Sequence, residues 1–218
     1  MSTLDDALRD PRSSTRLRAV MAAGSTPDEG DVATLVAQCA TEPDFFVRDM
    51  LTWALTRHDP ALVVPILLQE LANPTPQARS QALHTLSKIG DRATFDDVAA
   101  LLTDPVDDVA RAAWRAAVAL GPDETDVDGR RALAARLATQ LGRGDGQTRL
   151  SLSRAFAALG PDAVETVLVD AATSTMSHRA EHAAEALRVV RDPDSASALA
   201  VDAARREVAL GRTRGAKG

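Results

Sequence analysis

The chain has 218 residues, 45% of them apolar and 26% charged, and a formal net charge of −6. That charge disfavours nonspecific binding to nucleic acid or anionic membrane, and no apolar run approaches the ~20 residues of a membrane span. The single Cys39 excludes an intrachain disulfide and fits a reducing compartment, and Met1–Asp10 carries no charged-then-apolar leader, so a cytoplasmic location is expected.

A short opening helix is predicted at Leu4–Arg9, where Asp5, Asp6 and Arg9 suit the polar cap that a repeat array needs. From there Arg16, Arg48, Arg79, Arg111, Arg149 and Arg179 recur in steps of 32, 31, 32, 38 and 30 residues. Such a period is that of one helical hairpin stacked on the next. Three residues after each arginine stand Ala19, Leu51, Ala82, Trp114, Leu152 and His182; seven after stand Ala23, Leu55, Leu86, Val118, Phe156 and Ala186. Slots three and seven share one helical face, so this stripe is predicted to face a core. Turn signals at Gly24, His58-Asp59-Pro60, Gly90-Asp91, Gly121-Pro122, Gly160-Pro161 and Asp192-Pro193 end these helices. The intervening partner helices are predicted at Glu29–Ala40, Pro60–Leu71, Thr94–Leu102, Gly129–Leu141, Pro161–Ala172 and Asp194–Leu210, with a kink rather than a break at Pro65. Pro122–Gly129 reads as an acidic exposed loop and accounts for the 38-residue step.

The pattern resembles the HEAT repeat family, including the HEAT repeats of phycobilin lyases. In that family an acidic residue in the intra-repeat turn precedes an arginine by six, and successive pairs form a ladder. Asp10 and Glu42 hold that slot before Arg16 and Arg48, Asn73 holds it before Arg79, Asp104 stands one residue early before Arg111, and Arg143 and Thr173 occupy it in the last two repeats. The resemblance implies an all-α fold, an α-solenoid (right-handed superhelix) of about six HEAT-like hairpins. Residues 1–211 then form one repeat domain and residues 212–218 a short basic tail. It also implies a structural role for the six arginines, held by turn acids and nearby carbonyls.

With the core at slots three, four and seven, slots two, five and nine point away from it. In the first three repeats these carry Arg18, Met21, Ser25, Met50, Trp53, Arg57, Gln81, His84 and Lys88; then come Ala113, Ala116 and Leu120, then Ser151, Arg154 and Ala158, then Glu181, Ala184 and Arg188. By the resemblance, this second helix of each hairpin lines a concave surface. Arg18, Met50, Trp53, Arg57, His84, Lys88 and Arg154 are therefore the candidate contact residues, cations around an aromatic, suited to an acidic protein or peptide. A merely solvated helix face has the same composition, and a fully buried Trp53 would remove the anchor.

His178-Arg179-Ala180-Glu181-His182 matches H-x-x-E-H, which places two histidines on one helical face, so His178 and His182 are candidate metal ligands. The same spacing arises by chance in an Ala/Arg/Glu-rich helix, and His182 occupies a core slot, so no metal and no cofactor are expected. Gly142-Arg143-Gly144-Asp145-Gly146 lacks the Lys-Ser/Thr of a phosphate loop, and Cys39 falls among Val36, Ala37 and Ala40 as a buried thiol. No catalytic residue is assigned. The expected function is a non-catalytic protein–protein interaction scaffold. The alternative is a HEAT-fold enzyme or nucleic-acid-associated protein, resembling alkylpurine DNA glycosylases, whose tryptophans Trp53 and Trp114 could echo, or phycobilin lyases.

Overall fold

A computed structural model describes residues 3–192, and all regular structure among them is helical. The predicted helix at Asp194–Leu210 and the basic tail lie outside the described residues. The chain divides into two compact units, residues 1–120 and 121–218.

The first unit contains α1 (Thr3–Leu8), α2 (Ser13–Ser25), α3 (Val32–Thr41), α4 (Phe45–Leu55), α5 (Pro60–Glu70), α6 (Pro76–Ile89), α7 (Phe95–Ala99) and α8 (Asp107–Leu120). Short 3-10 turns at Glu29–Asp31, Arg92–Thr94 and Ala100–Thr103 complete it. Consecutive helices pair as hairpins, and the second helices stack in order, α2 on α4, α4 on α6, α6 on α8. The second unit repeats the plan with α9 (Val127–Ala138), α10 (Gly146–Leu159), α11 (Pro161–Ala172) and α12 (Ser177–Arg191), where α9 meets α11 and α10 meets α12.

The core follows the arginine-centred register. Leu51, Ala82, Trp114, Leu152 and His182 at slot three are buried, as are Leu55, Leu86, Phe156 and Ala186 at slot seven. Helix starts are set by aspartates whose carboxylates accept from otherwise unpaired first-turn N–H groups: Asp44 from Phe46 and Val47, Asp59 from Ala61, Asp145 from Thr148. Gly90 closes α6 in the left-handed conformation (φ 80°), its N–H returning to the Leu86 carbonyl.

Three local expectations are corrected. Gly24 does not terminate α2 by a turn; it lies buried within the helix, where the Trp53 ring comes so close that a Cβ would sit 2.4 Å from its Cζ3. As expected, Pro65 does not break its helix: α5 runs on through it, and Pro65 is exposed, on the side where water can satisfy the carbonyl that loses its donor. The 94–102 segment is a one-turn α-helix between two 3-10 turns. Most important for function, α8 does not turn slots two, five and nine outward: Ala113, Ala116 and Leu120 are buried, while Arg115, at a slot expected to face the core, is exposed together with Asp108 and Ala119. Its small alanines let neighbouring backbones approach on several sides, which leaves the line Asp108–Arg115–Ala119 as its exposed edge.

Candidate functional site

The recurrent arginines form two kinds of contact. Each of the first three donates through Nη1 to the carbonyls six and five residues before it: Arg16 to Asp10 and Pro11, Arg48 to Glu42 and Pro43, Arg79 to Asn73 and Pro74. Two also reach the carboxylate of the following turn, Arg16 to Glu42 at 2.7 and 2.8 Å and Arg79 to Asp104 at 3.0 and 3.3 Å. Burial alone would raise the Glu42 pKa, but the Arg16 guanidinium, the Asp44 N–H and the Gln38 amide more than offset this and hold it below the ordinary range. For Arg48 the following turn carries the neutral Asn73 in place of a carboxylate, and its guanidinium stands over the Phe45 ring, 5.9 Å from the centroid. Arg111 pairs with Asp108 on its own helix at 3.3 Å.

A groove of about 850 Å³ runs along α4, α6 and α8. The N-termini of these helices lie side by side, since the Gln77 amide donates to the carbonyls of Cys39 and Glu42 and Arg79 reaches Asp104. Arg48, Lys88, Arg111, Arg115 and His84 line the groove, against only Asp49 and Asp108, with Phe45 at its N-terminal end. Burial, then the charges of Lys88 and Arg115, push the His84 pKa below its ordinary value despite Asp49; burial, then Arg111, lowers that of Arg115 despite Asp108. Like charges are therefore crowded here with little internal compensation. Among the described residues, the side chains of His84, Lys88 and Arg115 make no ion pair, and the Arg111 Nε and Ser80 Oγ are buried without a partner.

Of the residues singled out from sequence, His84 and Lys88 line this groove. Arg18 and Arg57 are exposed elsewhere on the first unit, Met50 is half-buried, and Arg154 is exposed on α10 in the second unit. Trp53 is half-buried, with its ring against Gly24. Arg115 and Phe45 were not singled out. Arg115 sits at a slot that most repeats fill with core residues; Phe45 and Phe46, 65% and 71% exposed and in edge-to-face contact, look like core residues by composition alone.

His182 is fully committed to the fold of the second unit. Its Nδ1 accepts from the Gly142 N–H at 2.9 Å, which fixes the proton on Nε2, and Nε2 donates to the Arg149 carbonyl at 2.9 Å. Both ring nitrogens are occupied, so none is left for a metal, and burial lowers the pKa to about 4. His178 is exposed on the preceding turn, its ring beside Gly142. Trp114 is 0% exposed and its indole N–H donates to the Leu102 carbonyl at 2.9 Å, so it offers no face to a nucleic-acid base. Burial raises the Cys39 thiol to about 12, leaving it protonated and inert at neutral pH.

Stacked hairpins in an arginine-centred register define the protein as a helical-repeat protein. The chain is similar to an engineered protein (16% identity over 87% of this chain and 99% of that one, TM-score 0.48) and to human deoxyhypusine hydroxylase in complex with glycerol (19%, 94% and 88%, TM-score 0.46). It is also similar to a designed armadillo repeat protein in complex with the peptide (KR)4 (11%, 86% and 98%, TM-score 0.44). At these identities nothing about ligands follows from the likeness. No protein-family model and no curated protein matches the chain. No described helix is long and apolar enough to cross a membrane.

Proposed function

We propose that this chain is a non-catalytic, HEAT-like interaction module that binds an acidic protein segment in the groove along α4, α6 and α8. One observation carries the proposal: in a chain of net charge −6, this groove gathers Arg48, Lys88, Arg111, Arg115 and His84 against two carboxylates. Crowded cations on a partly desolvated surface are stabilised by an incoming anion, which supplies both affinity and steering. The site is thus on the second helices, as the repeat register suggests, but turned towards Arg115 rather than towards Trp53. The continuous register from Arg16 to Arg179 supports treating residues 1–211 as one repeat domain, and the buried, protonated Cys39 is consistent with a cytoplasmic setting.

The test is fluorescence anisotropy with a dye-labelled Asp/Glu-rich peptide and a Lys/Arg-rich peptide of equal length. The acidic peptide should bind, more weakly as salt rises, and Lys88→Glu/Arg115→Glu should abolish binding while Arg18→Glu leaves it unchanged. Equal binding by the Lys88→Glu/Arg115→Glu chain, or no preference for the acidic peptide, would overturn the assignment.

A further inference from the structure

Charged and polar side chains occur along the whole groove, between apolar stretches of its wall, and its two ends differ. At the N-terminal end, level with the first turns of the helices, lie Phe45, Arg48, Asp49, Asp108 and Arg111. Both lining carboxylates are there, and Asp108 is already engaged by Arg111. At the C-terminal end lie His84, Lys88 and Arg115, with Asp49 acting on His84 and Asp108 on Arg115 from nearer the other end. Four permanent cations against two carboxylates leave two positive charges uncompensated. A single Asp or Glu would answer half of that excess, whereas a phosphorylated side chain carries roughly −1.5 to −2 at neutral pH and would answer nearly all of it. Lys88, in the last turn of α6, partly offsets the negative end of its own helix, so Arg115 is the principal cation, and a guanidinium fork matches phosphate oxygens in pairs. The exposed Phe45–Phe46 pair at the other end is an apolar platform adjoining the same groove.

Resting on the acidic-groove reading, we propose that the ligand is a phosphorylated protein segment: its phosphate lies between Arg115, Lys88 and His84, and an apolar side chain lies on Phe45 and Phe46. Phe45 stands level with Pro76 in the repeat, seven to twelve residues below the level of Arg115 and Lys88. At 1.5 Å per residue this is about 11 to 18 Å along the groove. An extended segment rises ~3.3 Å per residue, so the apolar residue lies about three to five positions from the phosphorylated one.

The experiment measures anisotropy of dye-labelled peptides on the full chain. Each peptide carries one phosphoserine and one leucine about four residues apart in a Gly/Ser context, made in both orders. The comparison peptides carry serine for phosphoserine, two glutamates for phosphoserine, or serine for leucine; inorganic phosphate and an oligothymidylate are further probes. In one order, phosphorylation should tighten binding about tenfold or more, the scale of one or two charge-assisted hydrogen bonds. Arg115→Ala/Lys88→Ala should remove that factor, and Phe45→Ser/Phe46→Ser should remove only the advantage of leucine. All four side chains are at or near the surface, and circular dichroism identifies folded variants. If the two-glutamate peptide binds as tightly, or the preference survives in Arg115→Ala/Lys88→Ala, the phosphate assignment is wrong and the acidic-groove reading stands. If inorganic phosphate competes as well as the peptide, the segment and its apolar anchor are wrong. If neither acidic nor phosphorylated peptide binds, or the oligothymidylate binds more tightly than both, the two readings fall together.

Discussion

Arg16 and Glu42 meet through two parallel N–H···O bonds of 2.8 and 2.7 Å, and the carboxylate belongs to the turn after the arginine's own. One buried guanidinium thereby ties the first hairpin to the second while its remaining nitrogen holds the Asp10 and Pro11 carbonyls. The Glu42 side chain is 0% exposed and accepts four hydrogen bonds, from Arg16 twice, Gln38 and Asp44.

Removing the charge from Glu42 should therefore be costly. Breaking a buried ion pair by deleting one partner costs about 3–5 kcal/mol because the other charge stays buried. Glu42→Gln is expected to lower the unfolding free energy of the first unit on that scale in urea titrations. Arg16→Met/Glu42→Leu should recover most of the loss. A small effect of Glu42→Gln would mean that water reaches Arg16.

The approach of Trp53 to Gly24 predicts a second effect. A methyl group at position 24 would lie 2.4 Å from the indole Cζ3 and 2.9 Å from the Ala54 Cα, and the latter is backbone and yields little. Gly24→Ala should destabilise by about 1–3 kcal/mol despite the better helix propensity of alanine. Because Trp114 is buried elsewhere, tryptophan fluorescence in a Trp114→Phe background reports Trp53 alone, and it should shift to the red.

His182 sets an acid limit on the second unit. Its folded pKa of about 4 lies below the ordinary 6.5, so the unfolded state binds the extra proton first as pH falls. The stabilisation from neutral His182 is fully present above pH 6.5 and is lost as pH falls towards 4. The full shift corresponds to roughly 3 kcal/mol at ~1.4 kcal/mol per pH unit. His182→Ala should lose stability at pH 7, leaving the Gly142 N–H and the Arg149 carbonyl unpaired, and should also flatten the dependence on pH over that interval. Urea unfolding at several pH values, followed by near-ultraviolet circular dichroism, measures both.

The thiol of Cys39 gives a clean probe of opening. Buried and protonated up to about pH 12, it should react with a thiol reagent only through unfolding of the first unit. Its labelling rate in Glu42→Gln should then rise by the same factor as the unfolding constant. Rapid labelling of the native chain would show a local opening around α3.

Helix positions and the core stripe were legible because one period repeats and the apolar slots fall on it. Pro161–Ala172 is matched to the residue, since proline begins α11 and the cap of α10 ends on Gly160. The outer face of α8 was legible in its own pattern, where Asp108, Arg111, Arg115 and Ala119 fall at i, i+3, i+7 and i+11 on one side of a strongly amphipathic helix. The register carried over from the other repeats overrode that pattern and read Ala113 and Ala116 as outward and Arg115 as inward. The partner of each arginine was half legible: Asp10 and Glu42 stand at the right spacing, but sequence does not say that Arg16 takes the second rather than the first. Asp10 is instead held at about 2, chiefly by the Arg12 side chain and N–H.

Asn73 interrupts the row of carboxylates, and what replaces the missing one is neutral. The junction between the α3–α4 and α5–α6 hairpins is bridged by the Gln77 amide, which donates to two carbonyls, whereas the junctions on either side are bridged by Arg16–Glu42 and Arg79–Asp104. Acid strong enough to protonate Glu42 weakens the Arg16–Glu42 junction, while the Gln77 amide that bridges the next one carries no charge to lose. In an array where each hairpin leans only on its neighbours, that sets an order of disassembly. In acid, amides of α1–α2 should exchange with solvent before those of α3–α6, so the first unit sheds its opening hairpin and keeps its centre.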